Sequence, residues 1–166
     1  MRILIYGDSN SWGYLDDGSG QRFGGRWPLQ MASQLDAEII EECLPGRVTH
    51  GADPAEGPQF DGTAPFLAIL MSHQPLDRVI IMLGTNDMKA RFDRSAEDIS
   101  AGVMQLVDIV GASGAGLGGW GAAAAPPVTV ICPTMLGKRA ADESWERHQE
   151  WNGGLEKSEK LPGILG

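Results

Sequence analysis

The chain reads as an α/β protein, a three-layer α/β/α arrangement around a sheet of parallel strands. Three features predict this. The apolar runs Ile3-Leu4-Ile5, Val79-Ile80-Ile81-Met82-Leu83 and Val128-Thr129-Val130-Ile131-Cys132 have the length and character of strands buried on both faces. The first two end in glycine-bearing turns, Gly7-Asp8-Ser9 and Gly84-Thr85-Asn86-Asp87, and the carboxyl ends of strands are where open α/β sheets gather their chemistry. Between the strands lie stretches with helical patterning, the alternation that builds a parallel sheet.

The first strand delivers Asp8 and Ser9 to the rim of the sheet. If a helix begins just after Ser9, its hydroxyl and its own backbone N–H face the same space, so one residue supplies a nucleophile and an oxyanion donor. Asp and Ser are equally the residues of turns and helix N-caps, and the motif by itself fits that role too. Leu15 to Gly25, rich in glycine and aspartate, is a loop. Trp27 to Leu35, with Pro28 near its start, is a short helix packing back on the sheet. Trp12 and Trp27 are candidate walls of an acyl or aryl pocket, with core filling as the other reading of each.

Glu38 to Cys43 is the second strand and Leu44-Pro45-Gly46-Arg47 the corner after it, where Arg47 either pairs with an acid such as Asp8 or orients the loop. A loop from His50 to Gln59 precedes a helix from about Thr63 to His73. The third strand, Arg78 to Leu83, delivers Asn86, a side-chain amide at a second strand end. The charged loop Lys89 to Arg94 is expected to be solvated. Ser95 and Asp98 have the spacing of a capping box. Ile99, Val103, Leu106, Val107 and Val110 then follow on one helix face, a core pattern. Gly111 to Pro127, with Trp120 inside it, is a glycine- and alanine-rich surface connection and a candidate oligomer contact. After the fourth strand, Asp142 to Gln149 is predicted helical. A final helix carries Leu155, Leu161 and an i, i+4 pair from Glu156 to Lys160.

The chain's 166 residues fit one domain, with 42% hydrophobic and 21% charged residues, an ordinary balance for a folded protein. A net charge of -9, from 22 acids and 13 bases, disfavours a nucleic-acid or anionic-membrane partner, both of which need clustered Lys and Arg. The N-terminus reaches glycine and charge too soon for a signal-peptide core, and no run approaches a membrane span. A cytoplasmic protein acting on a neutral or weakly polar small molecule is therefore expected.

Gly7-Asp8-Ser9 and Gly84-Thr85-Asn86-Asp87, in that order, resemble the first and third blocks of the SGNH-hydrolase (GDSL-type) esterase family, which read G-D-S and G-x-N-D. Trp12-Gly13 and Glu41-Glu42-Cys43-Leu44 are similar to its subgroup of arylesterases that also transfer acyl groups. The resemblance covers nearly the whole chain. It implies a flavodoxin-like sheet and hydrolysis of small carboxylic esters through an acyl-serine, with alcohols as a second acyl acceptor. It makes Ser9 the nucleophile and gives the oxyanion to the Ser9 N–H, the Gly46 N–H of the second block and the Asn86 amide. Gly46 also fits a plain turn device at a strand-to-loop corner. The chemistry requires no metal or organic cofactor. The expected partner is a small-molecule ester, and because related arylesterases assemble, a homo-oligomer stays open. In a sheet ordered 2-1-3-4-5, Cys43 and Cys132 end strands three spacings of roughly 4.8 Å apart, beyond disulfide reach, so both are expected to be free.

In that family the base is a histidine in a late D-x-x-H block behind a fifth strand, and this sequence contains no D-x-x-H. A serine hydroxyl is a poor nucleophile until a neighbouring base accepts its proton. His50, after the second strand, and His148, beyond the fourth with Glu146 and Asp142 nearby, are the candidates for that place; a solvated or core histidine is the competing reading of each. The more economical expectation is a domain over residues 1–166 that is C-terminally incomplete, which would leave the fourth strand an exposed apolar edge. Two other classes remain: a catalytically silent fragment or binding module of the same fold, and a flavodoxin-like phosphate or nucleotide binder using the turn after the first strand. Against the last, Asp8 sets a carboxylate where a phosphate would sit, and no G-x-G-x-x-G or P-loop pattern is present.

Overall fold

The computed structural model describes residues 1–118 and 123–166. Four parallel strands, β1 (Arg2–Gly7), β2 (Glu38–Cys43), β3 (Arg78–Met82) and β4 (Val128–Val130), form one sheet in the order β2-β1-β3-β4. The register sets Gly7 opposite both Cys43 and Met82, so three strands end level at one rim. Side chains alternate across β1. Leu4 and Tyr6 enter a core with Phe66, Leu70, Leu106 and Val110 on one face, while Ile3 and Ile5 join Ile80, Trp27 and Met31 on the other. These two cores are the glue of the three layers.

Helices α1 (Ser9–Trp12) and α2 (Trp27–Leu35) follow β1. The opposite face is covered by α3 (Phe66–His73) and α4 (Ala96–Ala112). Phe66 stacks on Tyr6 with ring centroids 4.0 Å apart, and the Tyr6 hydroxyl donates to the Gly62 carbonyl at 2.7 Å, which satisfies the one polar atom of a buried ring. α5 (His148–Trp151) and α6 (Gly154–Leu165) close the chain, with Leu161 packing on Met88 and Ile99 in a third, smaller core. No helix of the described residues is long and apolar enough to cross a membrane. Both cysteines are free.

Helix α4 begins where the Ser95 box predicts: the Asp98 N–H donates to Ser95 Oγ at 3.1 Å, and the Ser95 N–H donates to Asp98 Oδ2 at 2.9 Å. Ser95→Ala is expected to cost about 1 kcal/mol and to lower the melting temperature by about 2–4 °C, read by thermal denaturation.

The structure differs from the sequence reading in four segments. β4 stops at Val130, short of the expected Cys132. Asp142 to Gln149 is not one helix: a 3-10 turn covers Lys138–Ala141, and α5 starts only at His148. The Asp142 carboxylate accepts from the Ser144 N–H and hydroxyl, a local alternative to helical bonding. Of the glycine- and alanine-rich stretch, the first residues complete α4, and the described flanks are pinned: the Leu76 N–H donates to the Ala115 carbonyl and the Gly116 N–H to that of Ala124, both at 2.8 Å. Trp120 lies outside the described residues. The charged loop Lys89 to Arg94 is not solvated, because its cations find carboxylates across the chain, as follows.

Candidate active site

Asp8 follows β1 and caps α1, accepting the Asn10 N–H at 2.9 Å. The cap reading of this motif and the nucleophile reading are therefore compatible: because the cap turns the chain at Asp8, Ser9 becomes the first helical residue, with its hydroxyl on the rim. Among the described residues the Ser9 N–H donates to no backbone or side-chain acceptor, as expected for a first-turn amide.

Asn86 comes from the neighbouring strand end. It is buried, and its Nδ2 donates to the Arg47 carbonyl at 3.1 Å, leaving one amide hydrogen uncommitted. The side chains flanking the two positions meet, Asn10 Nδ2 donating to Thr85 Oγ1 at 3.0 Å. The third corner is Gly46. Its φ of 90° lies in the left-handed region, and a Cβ there would meet the Phe60 ring at 2.9 Å, so the turn requires glycine. Among the described residues its N–H also finds no acceptor.

Ser9, Gly46 and Asn86 line one cleft of about 400 Å³, together with Tyr14, Leu136 and Trp151. A second depression of about 420 Å³, lined by Gly13, Phe23 and Arg26, also opens on Ser9, so the serine stands between two spaces. Lys89 and Arg147 edge the first cleft and share the Glu150 carboxylate, at 3.1 and 2.8 Å.

Trp12 and Trp27 do not wall this cleft, which corrects the sequence expectation. The Trp12 carbonyl accepts from Arg22 Nε at 2.8 Å and its ring lies under the Arg22 guanidinium, at 5.0 Å, while both Arg22 and Arg26 bind Glu41. This ion cluster turns the indole toward the glycine-rich loop. Trp27, the first residue of α2, packs on the core of Ile3 and Ile5. The aromatics that line the cleft are Tyr14 and Trp151; Trp151, from α5, was passed over by sequence reasoning because it sits in a charged stretch next to Gly153-Gly154.

None of the three histidines lines the Ser9 cleft. His50 Nδ1 is 2.9 Å from Thr49 Oγ1, His148 Nδ1 is 3.1 Å from the Ala140 carbonyl in a separate depression, and His73 Nε2 is 2.7 Å from Glu42 Oε1. Arg47 does not pair with Asp8. It donates to the carbonyls of Glu42 and Gly7 and lies over the Tyr6 ring at 4.1 Å, orienting the loop after β2. Asp8 is 1% exposed, and burial pushes its carboxyl up to about 6 from 3.8, with the nearby Asp87 adding to the rise and the Asn10 hydrogen bond opposing it.

A parallel α/β/α sheet with a serine and a carboxamide at adjoining strand ends is the framework of a serine ester hydrolase. The comparisons with known proteins agree. A carbohydrate acetylesterase from Sinorhizobium meliloti is 36% identical over 99% of this chain and 77% of its own, with a TM-score of 0.86. The aryl esterase of M. smegmatis is 39% identical in its native form and 38% in its inhibitor-bound form, over the same shares, with TM-scores of 0.85 and 0.86. Among curated proteins none matches. The model of the GDSL-like lipase/acylhydrolase family matches residues 5–164, and the chain belongs to that family. It is a carboxylic ester hydrolase by that membership.

Proposed function

We propose that Ser9 attacks the carbonyl of a small acetyl or aryl ester bound across the two depressions, forming an acyl-serine that water or an alcohol then releases. The developing oxyanion is held by the N–H groups of Ser9 and Gly46 and by the free Asn86 amide hydrogen. The observation that carries this reading is the joining of the two strand ends by the Asn10 to Thr85 bond, with two unengaged amides and a half-engaged carboxamide facing one cleft. The choice of ester follows the chemistry named for the two similar esterases and the mixed lining of the cleft, in which Trp151 and Leu136 sit beside polar groups.

In this reading the Ser9 proton passes to a general base, and among the described residues no histidine lines the cleft. The residues described supply binding and oxyanion contacts alone, worth about 10³- to 10⁴-fold over water by comparison with triad deletions. The test is covalent. Treatment with a fluorophosphonate is expected to give one adduct, mapped to Ser9 by peptide mass analysis and absent from Ser9→Ala. A folded sample that takes up no reagent, or takes it up equally in the variant, overturns the nucleophile assignment and marks a pocket that binds without reacting.

A further inference from the structure

Three buried carboxylates, Asp8, Asp53 and Asp87, take no direct part in the proposed reaction, and Asp87 is the one bonded to the loop that carries Gly46. Asp87 is fully buried in the 3-10 turn that follows β3 and bonds into the loop that follows β2. It accepts the Thr49 N–H on both oxygens, at 3.1 and 3.0 Å, the Thr49 hydroxyl at 2.6 Å, and Arg94 Nη1 in a buried ion pair. The residue before it, Asn86, binds the Arg47 carbonyl at 3.1 Å. Consecutive residues of one strand end thus grip residues 47 and 49 of the other, and Gly46 is the next residue in the chain.

The gripped segment is confined from its other sides as well. A Cβ on Gly62 would lie 2.4 Å from the Val48 carbonyl oxygen, and one on Gly102 of α4 would lie 2.3 Å from Thr49 Oγ1, so the segment runs between two positions that admit no side chain. Arg94 Nη2 also donates to the His50 carbonyl at 2.6 Å. Every one of these contacts fixes the loop that presents the Gly46 amide relative to the strand end that presents Asn86.

We infer that Asp87, braced by Arg94, is a positioning residue that sets the spacing of the Gly46 and Asn86 oxyanion donors by holding Thr49 to the end of β3. The inference rests on the oxyanion reading above. Donors must stand within hydrogen-bond reach of where the oxyanion forms, not where the ester oxygen rests, so a loosened clamp penalises turnover more than binding. An amide at position 87 would turn one of its two atoms into a donor facing Thr49 and Arg94, which are donors themselves.

The experiment is a double-mutant cycle on a p-nitrophenyl ester. Asp87→Asn is expected to lower kcat about 10- to 30-fold with KM changed less than about threefold. In the Asn86→Ala background the same substitution is expected to cost less than about threefold, because the donor it positions is already gone. Thr49→Val, which keeps the N–H bonds to Asp87 but removes the hydroxyl's bond to it along with the hydroxyl's contact to His50 Nδ1, is expected to lower kcat about threefold and carries the test if Asp87→Asn does not fold. Equal losses in both backgrounds, or an unchanged kcat in a folded Asp87 or Thr49 variant, overturn the positioning role. If Asn86→Ala alone leaves turnover unchanged, it is the oxyanion reading that fails, and that outcome is told apart by the single mutant.

Discussion

Asn86→Ala is expected to lower kcat for a small aryl ester by about 10²- to 10³-fold while KM stays within a few fold, the size seen when one preorganised oxyanion donor is removed. The split between the two constants follows from where the amide hydrogen points. One Nδ2 hydrogen is committed to the Arg47 carbonyl; in the proposed reaction the other meets charge only as the tetrahedral oxygen develops. Losing the Arg47 bond also costs about 1 kcal/mol of stability, so kcat is compared well below the melting temperature of each protein. Asn86→Asp keeps the shape, removes the donor and sets a carboxylate against the oxyanion, and its kcat is expected to fall at least as far. A kcat within threefold of the wild type in either variant would take Asn86 out of the site.

The placement of that amide was readable before any coordinates, and the reasons are local. Buried strands leave continuous apolar runs, so β3 falls within a residue of its expected bounds and β1 within two; β2 spans Glu38–Cys43 as expected, and α2 spans Trp27–Leu35 as its Pro28 and apolar spacing indicate. Helix α4 announces itself through a cap and a face that both lie in adjacent residues. Parallel neighbours with level ends then bring Ser9 and Asn86 together through strand order alone.

What escaped the sequence depends on pairing across long separations. Lys89, Arg91 and Arg94 read as a solvated run because a charge shows no partner in one dimension. Folded, Arg91 binds Asp53 of the loop after β2 at 2.6 Å, Lys89 binds Glu150 of α5 at 3.1 Å, and Arg94 binds Asp87, seven residues before it. The run became the brace of the site instead of its solvent face. Trp12 failed as a pocket wall for the same reason: Arg22 captures it, and Arg22 is held by Glu41 of β2. Trp151 reached the cleft through α5, a four-residue helix with no periodic face to predict it.

The second large effect concerns Asp8, and it is a pH dependence of stability. Its carboxyl titrates near 6 in the folded protein against 3.8 when exposed, because burial disfavours the charged form. Between these values the native state holds the proton more often than the unfolded state, so stability from this group is full below about pH 4 and is lost as pH rises through about 6. The loss amounts to about 3 kcal/mol. Glu41 and Asp53 act with the opposite sign: arginine hydrogen bonds outweigh their desolvation and hold them below the usual carboxylate range, so their stability is lost toward low pH. The total curve therefore mixes both trends, and the difference between the wild type and Asp8→Asn isolates one. The amide keeps an oxygen for the Asn10 N–H that caps α1, while Asp8 Oδ2 has no partner to lose. Urea denaturation at pH 4 and pH 7.5 is expected to show Asp8→Asn gaining on the wild type by about 2 kcal/mol across that interval, which begins just above the exposed-acid value, whatever its absolute stability. Parallel curves would mean that Asp8 titrates as an exposed acid, and that the strand end carrying Ser9 is open to water rather than sealed beneath the site.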